Sequence, residues 1–225
     1  TNQGIARSLN AGLQQAVQNG AAWLLTLDQD TDVSSSFMED LTNDLAAAYR
    51  RGLLVGVIAP QDIADASGTL TYPVVDLQGW PTTHEVMQSG ALWSVSALQK
   101  IGGFDEQLGM DAVDAAACLA LRENRYRVAL SPTARISHQG GDPKQYAVFG
   151  RTVASTGHSA DRRGSIARNR VALFRREFRQ SPIHALRTMR RLASSATLAA
   201  TVEEDRRAKV RATIGGLMGG QRKDR

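Results

Sequence analysis

Apolar positions Ile5, Leu9, Leu13 and Val17 recur four apart, which predicts a helix with one apolar face, stopped by Asn19-Gly20. The run Ala22-Trp23-Leu24-Leu25-Thr26-Leu27 is nearly continuously apolar, the pattern of a strand buried on both faces of a mostly parallel sheet. It ends abruptly in Asp28-Gln29-Asp30. Serines 34–36 are suited to cap a second helix whose Phe37, Leu41 and Leu45 face one way, ending near Arg51-Gly52. A second buried strand follows over residues 53–59, stopped by Pro60. Residues 61–85 are turn-rich and read as a long loop or small hairpin over the strand ends. Val113, Ala117 and Leu121 fit the inward face of a further helix, and residues 126–130 a further strand. After Arg162 the pattern is helical, broken at Pro182 and loosened by Gly215-Gly216 and Gly219-Gly220. Helix, strand, acidic loop, helix, strand is the rhythm of an open α/β sheet, in which ligands sit beyond the carboxyl ends of the strands.

Composition narrows the classes without choosing a function. With 225 residues, 42% hydrophobic and 22% charged, the chain is long enough for one large domain with an appendage, and disorder is not expected. The single cysteine, Cys118, permits neither an internal disulfide nor a cysteine metal cluster and fits a reducing compartment. The opening Thr1-Asn2-Gln3-Gly4 has no basic and apolar leader, and no apolar stretch reaches membrane-span length. The expected location is therefore the cytoplasm, with residue 1 a fragment boundary or processed end. Charge is uneven: the basic excess falls after residue 150, in pairs such as Arg162-Arg163, Arg175-Arg176, Arg190-Arg191 and Arg206-Arg207. Such a tail suits phosphorylated ligands, anionic headgroups or nucleic acid, or is simply a solvated helical face; no nucleic-acid-binding motif accompanies it.

Three constellations carry candidate chemistry. Asp28 and Asp30 flank one residue at a strand tip, where two hard oxygen ligands suit Mg²⁺ or Mn²⁺ completed by diphosphate oxygens; an acidic loop that is merely solvated has the same look. Asp111 and Asp114 are three apart, so a helix would place them on one face, near Ser89-Gly90-Ala91-Leu92-Trp93 and Gly102-Gly103-Phe104-Asp105-Glu106 in sequence order. A carboxylate there suits proton abstraction from a hydroxyl, or only a helix cap. His138, in Ile136-Ser137-His138-Gln139-Gly140-Gly141, is suited to a metal or to a structural role, with glycines that admit a phosphate to the backbone.

The ordered set of Asn2-Gln3-Gly4-Ile5-Ala6 with Asn10, Leu25-Thr26-Leu27-Asp28-Gln29-Asp30, Ser89-Gly90-Ala91, Gly102-Gly103-Phe104-Asp105-Glu106, Met110-Asp111-Ala112-Val113-Asp114, His138 and Ala167-Arg168-Asn169-Arg170 resembles the family-two, GT-A-fold glycosyltransferases, especially the bacterial rhamnosyltransferase-like branch. The resemblance covers nearly the whole chain. It implies a Rossmann-like α/β core over residues 1–160 that lacks its first βαβ unit, followed by a basic helical extension over residues 161–225. It implies that Asp28 and Asp30 hold a Mg²⁺ or Mn²⁺ ion and the donor diphosphate, that His138 completes the metal site, and that Asp114 is the general base of an inverting transfer. Asn2, Gly4, Ser89, Gly90, Asp111 and Arg168 are then expected at the donor or acceptor. The implied partners are a nucleotide-diphosphate sugar and a saccharide or lipid-linked acceptor of cell-surface polysaccharide synthesis, with peripheral contact of the basic helices at the inner membrane face. Departures from the pattern, Ala116, Ala117, Ala120 and Gly164-Ser165, favour a degenerate or partner-dependent enzyme as the alternative, and a nucleic-acid-binding module rests on the basic tail alone.

Overall fold

The computed structural model describes residues 4–65, 68–138, 144–148, 151–155 and 157–219, so Asn2, the Gln139-Gly140-Gly141 segment and the basic end beyond residue 219 lie outside the described residues. The chain divides into two compact units, Thr1–Gly140 and Gly141–Arg225.

The first unit is α/β. Helix α1 (Ile5–Gln18) leads into β1 (Trp23–Thr26) and β2 (Thr31–Val33), and α2 (Phe37–Arg50) into the long β3 (Val55–Asp65). Strands β4 (Gly68–Thr71), β5 (Val75–Leu77), β6 (Trp80–Thr83) and β7 (Ala91–Ser94) follow, then α3 (Val95–Ile101), a 3-10 turn (Glu106–Leu108), α4 (Val113–Glu123) and β8 (Arg127–His138). The sheet runs β1-β7-β3-β8-β6-β5, with β2 on β8 and β4 on β3.

This sheet is mixed, and the expectation of a mostly parallel one is corrected: among the described residues only β3 and β8 pair in parallel. The α2 crossover does return the chain in the direction of β1, but β7 lies between β1 and β3, antiparallel to both. Helical rhythm dictates relative direction across a crossover, not adjacency. Trp23, Leu24 and Leu25 are accordingly half-buried rather than enclosed on both faces.

Pro60 does not stop its strand, which continues to Asp65. The β7 pairing covers Val57 and Ile58, and the β8 register shifts between Pro60 and Asp62, so the missing N–H falls at an irregularity of the ladder. The turn-rich segment resolves into two hairpins, β3–β4 and β5–β6. Likewise β8 continues well past residue 130, so Ile136 and His138 are strand residues.

Helix α2 packs its predicted face, Phe37, Leu41 and Leu45, against Ile58, Ala134 and Ile136 of the sheet. Ser36 stands at its N-cap, but the hydroxyl donates to the Asp40 carboxylate at 2.8 Å instead of capping the backbone. Buried Asp44 ties α2 to β8 by accepting from Ser131 Oγ (2.5 Å), Thr133 Oγ1 (2.8 Å) and Thr133 N (3.1 Å). In α1 the buried stripe is Ala6, Leu13 and Ala16, while Val17 is exposed, because a strict four-residue step rotates about 40° per step on a 3.6-residue helix.

The second unit holds the hairpin β9 (Lys144–Val148) and β10 (Arg151–Ser155) and helices α5 (Ala160–Gln180), α6 (Pro182–Val202) and α7 (Arg206–Leu217). Pro182 opens α6, where its lost N–H costs nothing. Gly215 and Gly216 do not loosen the end as expected; both lie inside α7. A Cβ at Gly216 would stand 2.3 Å from Gly164 O of α5, so the two glycines permit backbone-to-backbone approach of these helices. Glu203, fully buried, accepts from Lys209 Nζ at 2.8 Å and also from Arg163 and Ser155. Arg163 further donates to Ser195 Oγ at 3.1 Å.

Candidate active site

The acidic triplet lies just beyond β1, where the Thr31 amide donates to Asp28 O at 3.2 Å and closes a turn. The same turn starts β2, whose register sets Thr31 opposite His138 at the end of β8. Pairing of two short strand ends thus brings a histidine from residue 138 to carboxylates at 28 and 30. Ligand atoms of Asp28, Asp30 and His138 all lie within 4.8 Å of one another. His138 Nδ1 is 3.5 Å from Asp30 Oδ1 and 2.8 Å from Thr31 Oγ1. The same ring nitrogen thus faces both Thr31 and Asp30.

Ser89, 1% exposed, joins both arms of the cluster. Its Oγ accepts from the Asp28 amide at 2.9 Å and lies 2.6 Å from Thr31 Oγ1. Gly90 adopts φ +78°, donates to Thr26 O at 2.9 Å, and leaves no room for a side chain, since a Cβ there would meet Ile136 Cδ1 at 2.8 Å. Beneath it, Thr26 Oγ1 donates to Gln88 O at 2.5 Å and accepts from Trp93 Nε1 at 2.9 Å. These bonds fix the segment before β7 against the end of β1.

Burial pushes the Asp28 carboxyl above its ordinary range; the His138 charge opposes this, the Asp30 charge adds to it, and a hydrogen bond from Gln88 Nε2 at 2.6 Å opposes it. A divalent cation would relieve the two-carboxylate repulsion. Two carboxylates and an imidazole within one ion's reach form a donor set of oxygen and nitrogen that fits Mn²⁺ and accommodates Mg²⁺.

Asp114 occupies the first turn of α4, and its Oδ1 accepts from the Ala115 amide at 2.7 Å. Asp111 does not share its face: Ala112 takes φ +64° and breaks the helix before Val113. Asp114 lies in electrostatic reach of Tyr72, whose hydroxyl accepts from the Met87 amide at 2.8 Å. Burial pushes the Tyr72 hydroxyl far up, the Met87 bond opposes this, and the Asp114 charge adds to the rise. Burial likewise raises the Cys118 thiol, which keeps it a protonated core group.

Gly4, at φ +83°, precedes α1 and approaches Gly109, with a Cβ placed 3.3 Å from Gly109 O. Asn10 fastens the Gly102–Glu106 loop, accepting from Phe104 N at 2.8 Å and donating to Phe104 O and Glu106 Oε1, both at 2.9 Å. Arg168 lies in the second unit on α5, where Nε donates to Asn169 Oδ1 at 3.3 Å. Thr26, Thr31, Tyr72 and Gln88 were not singled out by sequence. Thr31 directly follows the acidic triplet and Gln88 directly precedes Ser89, so adjacency to those motifs was the signal available.

The mixed sheet is that of the GT-A glycosyltransferase fold. No family model matches the chain. It resembles the rhamnosyltransferase-like members of that class: it is 24% identical over 189 residues to the dTDP-rhamnosyl transferase RfbF of Shigella flexneri, covering 78% of this chain and 61% of that one. The chain thus spans about three-fifths of that curated relative. Among solved structures, S. aureus TarS superposes with a TM-score of 0.56 at 12% identity, over 99% of this chain and 38% of that one. TarS 1–349 in complex with UDP superposes with a TM-score of 0.51 at 13% identity, over 97% and 61%. Among the described residues no helix is long and apolar enough to cross a membrane.

Proposed function

We propose that this chain carries the catalytic core of an inverting, metal-dependent glycosyltransferase that moves a sugar, rhamnose by likeness to its relative, from a nucleotide-diphosphate donor to a saccharide or lipid-linked acceptor of cell-surface polysaccharide. The single observation behind this reading is the convergence of Asp28, Asp30 and His138 on one point, pinned by Ser89 and Thr31. Those three residues would hold Mg²⁺ or Mn²⁺, whose chemistry is to neutralise the charge gathering on the departing diphosphate. Asp114 takes the proton of the acceptor hydroxyl, which attacks the anomeric carbon opposite the leaving group and inverts it. Asn2, Gly4, Ser89, Gly90, Asp111 and Arg168 contribute to donor or acceptor binding. Residues 161–225 form a basic extension that meets anionic lipid at the inner membrane face.

The test is Mn²⁺-dependent transfer or hydrolysis of dTDP-rhamnose by this chain and by Asp114→Asn. Loss of a single general base costs about 10²–10⁴ in turnover while Mn²⁺ binding persists. Turnover unchanged in Asp114→Asn overturns the role given to that residue. Donor binding with no Asp114-dependent turnover supports instead a degenerate binding partner, the reading favoured by Ala116 and Ala117, which are buried as core-filling residues of α4.

A further inference from the structure

Helices α5 and α6 meet at the single residue Ser181, whose amide donates to Glu177 O at 2.8 Å and whose carbonyl accepts from the Ala185 amide at 3.0 Å. Arg163, near the start of α5, donates to Ser195 Oγ on α6 at 3.1 Å, so α6 returns alongside α5 and the Ser181 corner is the tip of a helical hairpin. That tip carries Phe178, Ile183 and Leu186, which are 43%, 67% and 56% exposed. Phe174 braces Phe178 from behind, with ring centroids 5.6 Å apart. On α6, Ile183, Leu186, Arg187 and Arg190 stand at i, i+3, i+4 and i+7, one face of the helix, with the apolar pair nearest the tip. Single exposed apolar residues are ordinary on a protein surface, but three large ones at one corner form a patch that calls for a partner. Residues 174–191 contain six arginines, all exposed, and one carboxylate, Glu177. Glu177 Oε1 is drawn to within 4.0 Å of His184 Nε2 and its side chain is 12% exposed. The charge this corner turns to solvent is therefore positive.

We infer that the α5–α6 corner enters the acyl boundary of an anionic bilayer, with Phe178, Ile183 and Leu186 as the inserted side chains and the surrounding arginines on headgroup phosphates. This rests on the membrane contact proposed above for residues 161–225 and gives it a depth and an orientation: the hairpin meets the surface tip first and does not lie flat along α6. The apolar side chains leave water at the tip, while Arg187 and Arg190, farther along α6, stay at headgroup level. Arg179, beside Phe178, reaches the same level by extending its apolar stem. A purely electrostatic contact has no need of the apolar trio, and a second copy of this chain seated on the patch would crowd one set of arginines against the other. Stable attachment of this kind takes both an apolar and a polybasic contribution, so neither suffices alone.

The experiment places an environment-sensitive NBD fluorophore on the full chain at Ile183→Cys or, as a reference about 15 Å along α6, at the exposed Ala193→Cys. The native thiol, Cys118, is 0% exposed and does not compete for the label. Vesicles of equal parts phosphatidylcholine and phosphatidylserine are added at low salt. The probe at 183 is expected to shift to the blue and to be quenched by lipids brominated on the acyl chain, and the probe at 193 to do neither. Ile183→Gln with Leu186→Gln leaves the charge unchanged and retains a good helix former, and is expected to weaken vesicle binding about 10²-fold, about tenfold for each apolar side chain left in water. Its thermal melt is expected to match wild type, and Ile183→Leu is expected to bind vesicles as wild type does. Wild-type affinity in the double glutamine variant, or equal quenching at 183 and 193, overturns the insertion while leaving a surface contact intact. A blue shift at 183 without vesicles that grows with protein concentration gives the tip to a second copy of this chain and overturns it too. Wild-type chain that does not bind these vesicles overturns the proposed membrane contact and this inference with it.

Discussion

The buried ionic cluster of the second unit gives a prediction whose size follows from its geometry. Glu203 is 0% exposed at its side chain and faces two cations, Arg163 at 5% and Lys209 at 10%. Glu203→Gln keeps the shape but removes the only negative charge of this trio, so two buried cations repel one another with an amide between them. Deleting one partner of a buried pair costs about 3–5 kcal/mol, and for a chain of this length about 3 kcal/mol lowers Tm by roughly 10 °C. Burial by itself pushes Glu203 upward, but Lys209, Ser155 and Arg163 outweigh it and hold the carboxyl below its ordinary value. A depressed folded-state value contributes stability that is fully present above the unfolded glutamate pKa, about 4.3, and is lost as pH falls through the folded value. The wild type is therefore expected to lose its advantage over Glu203→Gln on acidification below about pH 4. Urea denaturation followed by far-ultraviolet circular dichroism at several pH values measures this. Fluorescence of Trp23, Trp80 and Trp93 reports the first unit separately, since all three lie there. Replacing Arg163, Glu203 and Lys209 together by Met is expected to be near neutral, because the desolvation cost goes with the attraction. A Glu203→Gln midpoint equal to wild type at pH 7 would refute the account of this cluster.

Two further expectations are open to direct measurement. Gly90→Ala forces a left-handed alanine, about 1–2 kcal/mol, onto Ile136, about 1–3 kcal/mol more; adding Ile136→Val is expected to recover only the overlap, as read by thermal melts, and no recovery would place the whole cost in the backbone. Neutralising Arg187, Arg190 and Arg191 on α6, whose exposed surface also carries Ile183 and Leu186, is expected to abolish sedimentation with phosphatidylserine liposomes at low salt; retained sedimentation removes the membrane contact.

Helices were legible in this sequence because their signal is local. Phe37, Leu41 and Leu45 announce α2 by spacing alone, and Val113, Ala117 and Leu121 announce α4. Strand adjacency was not legible, since the insertion of β7 between β1 and β3 depends on long-range pairings, Thr26 with Ala91 on one side and Ile58 with Leu92 on the other. Pro60 misled because a ladder irregularity that absorbs a missing N–H leaves no local trace. The carboxylates and His138 were recognisable by type and order, yet Asp111 was misplaced because nothing in Met110-Asp111-Ala112 signals an alanine at positive φ. Gln88 was silent for a related reason: its significance arises only when residue 28 arrives beside it.

The opposition of Thr31 and His138 ties the chemistry of the site to the register of a three-residue strand. A slip of one residue would present Ser137 in place of the imidazole and turn His138 to the opposite face of the sheet. The acidic triplet is therefore not a portable loop. Transplanted into another scaffold, Asp28-Gln29-Asp30 would bring two carboxylates and no nitrogen donor; a graft that preserves the donor set must carry the end of β8 and its alignment with Thr31 as well.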